Sequence, residues 1–507
     1  MLETLSIANF KAFSGSQKIK LAPITLIYGP NSSGKSSIIH SIMLLKQSLT
    51  RPNVQGGLVS NGEFVDLGDY SSMVHGHELK RAISFGFSYL PNKKQSIAEY
   101  GFDVFGKNRR KEFELVYNYA DGQVDYKGFS YLDSMSVKVS NESNSSVVFA
   151  STVKSTLLRA MEIEMAELIK LEKPSEIMTS KDKAAAADKA EGLRKRLPAK
   201  RLAASRTFIF GNGGYSAAYE YLINHPNANS KDANPKKVLD SVNFRSDLNY
   251  ATPSMAVMEG RTSSSFSVDT FVQLNFAFSS LASDLKNKFG AITYLGPLRS
   301  HPSRFYAPKA DQDESVGKQG ENVAKFIYER PEMQDDINSW FAQFEVPYEL
   351  SSESIGTDVT GPVICLQLKD KRTGVKVGPS DVGFGIGQML PILVEGLVRD
   401  DSIICVEQPE IHLHPRLQAH LANFFVATCK SNQWIVETHS ESLILRLQGM
   451  MSQGLVTPEQ VAVLYVEPTS SGGEVSQIRM DSEGDFIDPW PEGFFEERLT
   501  EKFRGRR

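Results

Sequence analysis

Cysteine is nearly missing from this 507-residue chain: Cys365, Cys405 and Cys429 are all it has. Thiols so few, so widely spaced and set in apolar runs exclude a disulfide-held scaffold and a thiolate metal centre. They read as buried, reduced side chains of a reducing compartment. Long apolar runs are lacking too. No window approaches the ~18 consecutive apolar residues of a membrane span. The opening MLETLSIANF shows no basic end followed by an apolar stretch, so the expectation is a soluble, cytoplasmic protein with no membrane attachment. An excess of one charge is absent as well, since 56 basic and 60 acidic residues leave a formal net charge of −4. That balance gives no global pull towards nucleic acid, and any such contact must be local. There is no internal repeat. The base-reading Asn/Thr-Lys-x-Asp motif of GTPases is missing: Asn92-Lys93-Lys94-Gln95 follows Pro91 and lacks the acid.

What is present is a phosphate-binding pattern. Gly29-Pro30-Asn31-Ser32-Ser33-Gly34-Lys35-Ser36 matches G-x-x-x-x-G-K-[ST], with the apolar run Ile24–Tyr28 before it and a helical stripe of Ile38, Ile39, Ile42, Met43 and Leu45 after it. Two glycines let the backbone wrap a polyphosphate with its N–H groups, and the following helix offers its positive end. Lys35 would reach the β/γ-phosphates of ATP and the Ser36 hydroxyl would hold Mg2+, with Ser37 opening the helix behind them.

The composition divides the chain into three stretches. Residues 1–151 read as an N-terminal lobe with two early strands and, over 80–151, alternating β-branched and aromatic segments expected to form an antiparallel sheet. Residues 152–263 are first Ala-, Lys- and Glu-rich with an imperfect helical stripe, then rich in Asn, Ser and Pro. They read as an inserted helical arm and loops, whose basic end (Lys181, Lys183, Lys189, Arg194, Lys195, Arg196, Lys200, Arg201, Arg206) is either a solvated helix face or a phosphate-backbone contact. Residues 264–507 form a C-terminal lobe with a strand over 291–295, a helical stretch over 320–344 and a strand over 363–368.

That lobe carries the second set of motifs. Ile403-Ile404-Cys405-Val406-Glu407 is a buried-strand pattern ending in an acid that can face Mg2+, a Walker B candidate. Gln433-Trp434-Ile435-Val436-Glu437-Thr438-His439-Ser440 is another strand, ending in a histidine placed to sense the γ-phosphate. The pair His412 and His414 has no third ligand at sensible spacing, so Pro415 is read as a helix start. Upstream, Ser380-Asp381-Val382-Gly383-Phe384-Gly385-Ile386-Gly387-Gln388 enters an apolar helix, a second anion-binding cap. Two caps for one nucleotide imply a composite site shared by two copies of the chain.

This layout resembles the ABC-type ATPases of the SMC, RecF and OLD group. The resemblance implies an α/β fold, a P-loop ATPase head of two sequence-separated lobes. More closely, Glu407-Gln408-Pro409-Glu410-Ile411-His412-Leu413-His414-Pro415, Glu437-Thr438-His439-Ser440 and Trp490-Pro491-Glu492-Gly493-Phe494-Phe495 look like the stand-alone ATPases of bacterial two-gene phage-defence modules, such as the Septu, PARIS and retron-associated subunits. By that resemblance Lys35 and Ser36 bind phosphate and Mg2+, Glu407 holds the metal, His439 is the switch, and Ser380 to Gln388 is the signature acting on a second subunit's ATP. Two positions depart from the pattern. The signature serine is missing before Gly385-Ile386-Gly387-Gln388, with Ser380 its possible substitute. The general base after the Walker B acid is replaced by Gln408, a neutral amide that can orient water and cannot take its proton. In an extended segment Glu410 would point the same way as Gln408 and stand in for it. The expectation is therefore slow hydrolysis by a homodimer or higher oligomer that acts as sensor and scaffold for a separate effector, a nuclease. The alternatives are a DNA-repair ATPase clamping DNA through Lys11 and the basic arm, and a scaffold without useful turnover. A self-contained nuclease is disfavoured, because Asp481, Glu483, Asp485 and Asp488 read as a surface turn.

Overall fold

The computed structural model describes residues 1–50, 57–90, 110–120, 129–140, 146–152, 189, 243–247, 284–307, 315–359 and 361–491. The chain forms two compact units, one made of residues 1–4, 17–43 and 291–507, the other of 5–16 and 44–290. Their strands and helices are β1 (Leu2–Ala8), β2 (Gln17–Lys20), β3 (Ile24–Tyr28), α1 (Lys35–Thr50), α2 (Tyr70–Met73), β4 (Ile83–Tyr89), β5 (Arg110–Ala120), β6 (Phe129–Ser140), β7 (Ser146–Thr152), β8 (Asn243–Asp247), β9 (Ile292–Leu295), α3 (Val323–Glu329), α4 (Glu332–Gln343), β10 (Tyr348–Ser354), β11 (Ile364–Asp370), β12 (Lys376–Val377), α5 (Phe384–Val398), β13 (Ile403–Glu407), α6 (Pro415–Thr428), β14 (Gln433–Glu437), α7 (Glu441–Ser452), β15 (Val461–Thr469) and β16 (Gly472–Ile478).

In the first unit six strands lie in the order β16-β15-β3-β14-β13-β9. β15, β3, β14, β13 and β9 are parallel neighbours, and β16 closes one edge as an antiparallel hairpin partner of β15. Every residue of β3, β13 and β14 is buried, which is why these strands read as mostly apolar runs and not as alternating ones. Trp434, Phe424, Phe425, Leu443, Ile444 and Leu393 belong to the core of this unit. A parallel sheet gathers the carboxyl ends of its strands on one edge, so residues 28, 407 and 437, far apart in sequence, end side by side. A small antiparallel sheet, β10-β11-β12, belongs to the same unit.

In the second unit β4, β5 and β6 pair antiparallel, as does β7 with β6. Its core is aromatic: Phe87 meets Phe113 and Phe289 at ring-centroid distances of 5.2 and 4.9 Å.

Several expectations changed at their ends. The helical stretch over 320–344 is two helices broken at Pro331, which disfavours helical backbone at Arg330 before it. The helix behind the Gly-rich segment starts at Phe384, so Gly383 caps it and Gly385 and Gly387 lie in its first turn. Asp481 accepts N–H bonds from Glu483 and Asp485, both at 2.9 Å, and Asp488 pairs with Arg479 at 2.7 Å. These acids serve a surface turn, as expected. Cys405 and Cys429 are buried free thiols and Cys365 is half-buried. The helical arm and its basic end lie outside the described residues except for Lys189 and β8, which pairs parallel with β7.

Candidate functional site

The loop from Gly29 to Gly34 connects β3 to α1, which opens with Lys35, Ser36 and Ser37, at the carboxyl edge of the parallel sheet. Gly29 has φ +145 and Gly34 φ +104, conformations that side chains rarely adopt. A Cβ on Gly29 would also sit 2.3 Å from the Val466 carbonyl oxygen. Ser32 takes a left-handed φ of +63, and Pro30, Asn31 and Ser32 form the exposed rim. The Ser33 hydroxyl is buried with no hydrogen-bond partner, an orphaned donor inside the loop that a phosphate oxygen would satisfy. Ser37 N–H donates to Gly34 O at 3.0 Å, closing the first helical turn. Lys35 is 4% exposed, and its ammonium donates to Gly29 O at 2.9 Å and Pro30 O at 2.8 Å. Burial lowers its pKa, opposed by the nearby Glu437 and Glu410 carboxylates.

Across the sheet edge stand the acids. Glu407 and Glu437 are Cα partners in the β13–β14 register. Glu407 Oε1 accepts the Tyr294 hydroxyl at 2.9 Å and lies 3.3 Å from His40 Nε2. The Ser36 hydroxyl donates to Glu437 Oε1 at 3.0 Å, so the carboxylate bonded to the P-loop serine comes from the strand between the P-loop strand and the Walker B candidate. Burial, then the Glu407 charge, pushes the Glu437 pKa up to about 7. Its second oxygen, Oε2, is buried without a partner. An unpaired carboxylate oxygen beside a P-loop serine is a fitting ligand for a hard cation such as Mg2+. Among the described residues no group of three or more His, Cys, Asp or Glu side chains gathers to hold a metal, so bound phosphate and water would have to supply further oxygens.

Gln408 and Glu410 do not lie on an extended segment, and the expected alternation fails. Gln408 has φ +46 and His412 φ +61, and the chain turns, with Ile411 N–H donating to Gln408 O and Leu413 N–H to Glu410 O. The cause is tertiary. Arg299, 5% exposed, donates from Nη2 to Glu407 O at 2.8 Å and from Nη1 to Gln408 O at 3.4 Å, while Gln408 N–H donates to Glu437 O at 2.7 Å. Glu410 points to the next strand's end, accepting the His439 N–H at 2.6 Å and the Thr438 hydroxyl at 2.7 Å. Burial raises its pKa against those two bonds. His439 is half-buried, and burial followed by the Lys35 charge lowers its pKa, which keeps the imidazole neutral at pH 7. His414 caps α6, accepting Arg416 N–H at 3.3 Å, with Pro415 as the first helical residue. The His-x-His pair is thus a turn and a helix start.

The Gly-rich start of α5 divides into an outer and an inner part. Gly383 is exposed, and Ser380 and Gly385 are half-buried. A Cβ on Gly385 would lie 3.1 Å from His412 O. Gly387 is packed so closely on Pro302 that a Cβ would lie 2.4 Å from its Cγ. Gln388 is 2% exposed and donates to Arg299 O at 3.4 Å. Gly387 and Gln388, expected to face a second subunit's nucleotide, are therefore occupied within their own subunit. The exposed N-cap Gly383 and the half-buried Gly385 remain the accessible part.

Three residues of this site were not singled out from the sequence: Glu437, Arg299 and Tyr294. Each sits at or just past the end of a strand of the same sheet, and only the strand order brings them to Ser36 and Glu407.

A nucleotide-binding loop, an acidic strand end and a histidine-bearing strand on one sheet edge define a P-loop nucleotide-hydrolysing head. The profile of the family described as AAA ATPase domain matches residues 1–253 and 268–444; the chain belongs to that family and is an ATPase. The expected head built from sequence-separated parts is present, since the N-terminal β3 lies between C-terminal strands β15 and β14. A second profile, described as a protein of unknown function, matches residues 456–504. No curated protein matches the chain. Similar solved structures include the Smc head domain with an extended coiled coil bound to the C-terminal domain of ScpA from Pyrococcus furiosus, at 10% identity and TM-score 0.39, covering 100% of this chain and 99% of that one. The SMC head domain from Thermotoga maritima is similar at 9% identity and TM-score 0.35, covering 94% and 99%. Among the described residues no helix is long and apolar enough to cross a membrane.

Proposed function

We propose that the chain is an ATP-switched scaffold: two copies close around ATP, hydrolyse it slowly, and thereby control a separate effector, a nuclease, in bacterial anti-phage defence. The observation that carries the nucleotide part is the meeting of Lys35, Ser36, Glu407, Glu437 and His439 at the ends of adjacent strands. Lys35 exchanges the Gly29 and Pro30 carbonyls for phosphate oxygens, and the backbone N–H groups between Asn31 and Ser36 wrap the phosphates. Ser36, with Glu407 behind it, holds Mg2+. That ion, when bound, neutralises charge on the transferring phosphoryl group. Gln408 orients the attacking water without taking its proton, while Glu410 is engaged with Thr438 and His439, so turnover is slow. Neutral His439 meets the γ-phosphate through a ring N–H.

The second half of the site is the outer turn of α5. Gly383 and Gly385 at the start of α5, with Ser380 in the turn just before it, offer an open edge to a partner's nucleotide, and Gly387 and Gln388 hold that helix start in place from behind. A ligand bridging two copies favours the closed dimer by its differential affinity for the closed and open states. The defence role is supported by the resemblance of the 407–415, 437–440 and 490–495 motifs.

Light scattering and turnover on the purified chain test this reading. The expected result is ATP-dependent dimerisation with slow phosphate release, both lost in Lys35→Ala. A chain that stays monomeric with saturating ATP sinks the switch. A nuclease co-purifying from the native host, retained with ATP and released after hydrolysis, supports the effector. Tight, steeply salt-dependent duplex binding that needs ATP points instead to a DNA-clamping ATPase.

A further inference from the structure

We propose that Glu437, on the strand between the P-loop strand and the Walker B candidate, is a direct ligand of the divalent cation at this site, meeting the ion beside Ser36. The inference rests on the reading of Gly29 to Ser37 as an ATP·Mg2+ site and goes beyond it, because the acid expected to hold the ion was Glu407.

The two carboxylates differ in what already engages them. Glu407 Oε1 accepts the Tyr294 hydroxyl at 2.9 Å and has the His40 ring nitrogen 3.3 Å away, two contacts that hold it towards β9 and the middle of α1. Glu437 Oε1 lies 3.0 Å from the hydroxyl of Ser36, the P-loop residue expected to ligate the cation. Its other oxygen has no partner although the residue is 3% exposed. A buried carboxylate oxygen left unpaired is destabilising, and a cation removes the cost in the bound state. The two roles of Ser36 are compatible, since its hydroxyl can present a lone pair to the ion while its hydrogen stays on Glu437 Oε1.

Strand register adds a geometric reason. Glu407 and Glu437 are direct neighbours in the β13–β14 pairing, so their side chains leave the sheet on the same side. The β14 acid lies one strand nearer the P-loop, because β14 itself pairs with β3. Mg2+ is commonly held by one or two carboxylates together with phosphate oxygens and water, and Glu437 with Ser36 supplies the direct protein share. Glu407, one strand further off and tethered by Tyr294, is left to act on the ion through water or to fix the position of Glu437.

Nucleotide affinity with and without metal tests this directly. Binding of ADP is measured by calorimetry in Mg2+ and in EDTA for wild type, Glu437→Gln, Glu437→Asp and Glu407→Gln, and Mn2+·ADP complexes of the same proteins are examined by EPR. The expected result is that Glu437→Gln binds ADP in EDTA at least as well as wild type yet loses ten-fold or more of the Mg2+-dependent gain, with a changed Mn2+ spectrum. Glu437→Asp, which keeps an acid one methylene shorter, recovers part of the gain. Glu407→Gln retains more of it than Glu437→Gln. A Glu437→Gln protein with the full wild-type gain and an unchanged Mn2+ spectrum overturns the assignment. If Glu437→Gln does not fold, Glu437→Asp with an undiminished gain and unaltered spectrum does so instead. Wild-type protein that binds no ADP under either condition would refute the nucleotide site itself, a distinct outcome from loss of the metal effect alone.

Discussion

The buried pair Glu407 and Glu437 makes the metal-free protein less stable as pH rises, and Glu437→Gln removes most of that loss. Glu437 has its folded pKa raised from 4.5 to about 7, by burial first and the Glu407 charge second. A carboxyl raised on folding keeps a proton that the unfolded chain has released. Its contribution is therefore full below about pH 4.5 and disappears as pH climbs through about 7. At 1.36 kcal/mol per pKa unit the loss across that window is up to about 3 kcal/mol, a sizeable share of a typical domain's net stability. The amide in Glu437→Gln carries no charge, can still accept the Ser36 hydroxyl, and has an N–H group to offer Glu407. Urea denaturation in EDTA should find wild type and variant alike near pH 5, with the variant more stable by about 2–3 kcal/mol at pH 8. Parallel pH dependences in the two proteins would refute the reasoning, since they would mean Glu437 titrates alike folded and unfolded. The gain in stability should accompany a loss of function, the trade expected where a strained site is kept for its chemistry.

Further outcomes follow from single contacts. Glu410→Ala leaves the His439 N–H and Thr438 hydroxyl without their acceptor, and is expected to destabilise the protein by about 3 kcal/mol and to slow turnover. Glu410→Gln, which keeps one acceptor oxygen, should lose less stability, and turnover that survives in Glu410→Gln shows that this carboxylate positions the His439 turn and is not the general base. Gln408→Glu places a base after the Walker B acid and should raise the rate of phosphate release by ten-fold or more, read by steady-state kinetics at pH 8; an unchanged rate would mean that proton transfer to residue 408 does not limit turnover. Gly387→Ala drives a methyl into Pro302 and should cost about 1–3 kcal/mol in chemical denaturation, with ADP binding in the same subunit intact.

Much of the site was legible because some chemistry is written in consecutive residues. A P-loop needs its glycines and its Lys35-Ser36 pair at fixed spacing, so Gly29 to Ser37 is readable with no tertiary knowledge. The buried strands ending in Glu407 and before His439 show as short apolar runs because a parallel sheet is covered on both faces. Those features determined the class of protein. What the sequence could not carry is which carboxylate faces which strand end. The register of β14 between β3 and β13 puts Glu437 beside Ser36, and the Arg299 guanidinium, in the segment that follows β9, holds the 407–408 carbonyls where Gln408 adopts φ +46 and the chain turns Glu410 towards His439. Nor does a glycine reveal what it lies against. Gly387 and Gln388 read as part of an exposed anion cap, yet packing against Pro302 and Arg299 buries them. Local motifs are set by short-range backbone geometry, while the pairing of acids and the facing of a helix start follow from long-range strand order, which only the folded chain decides.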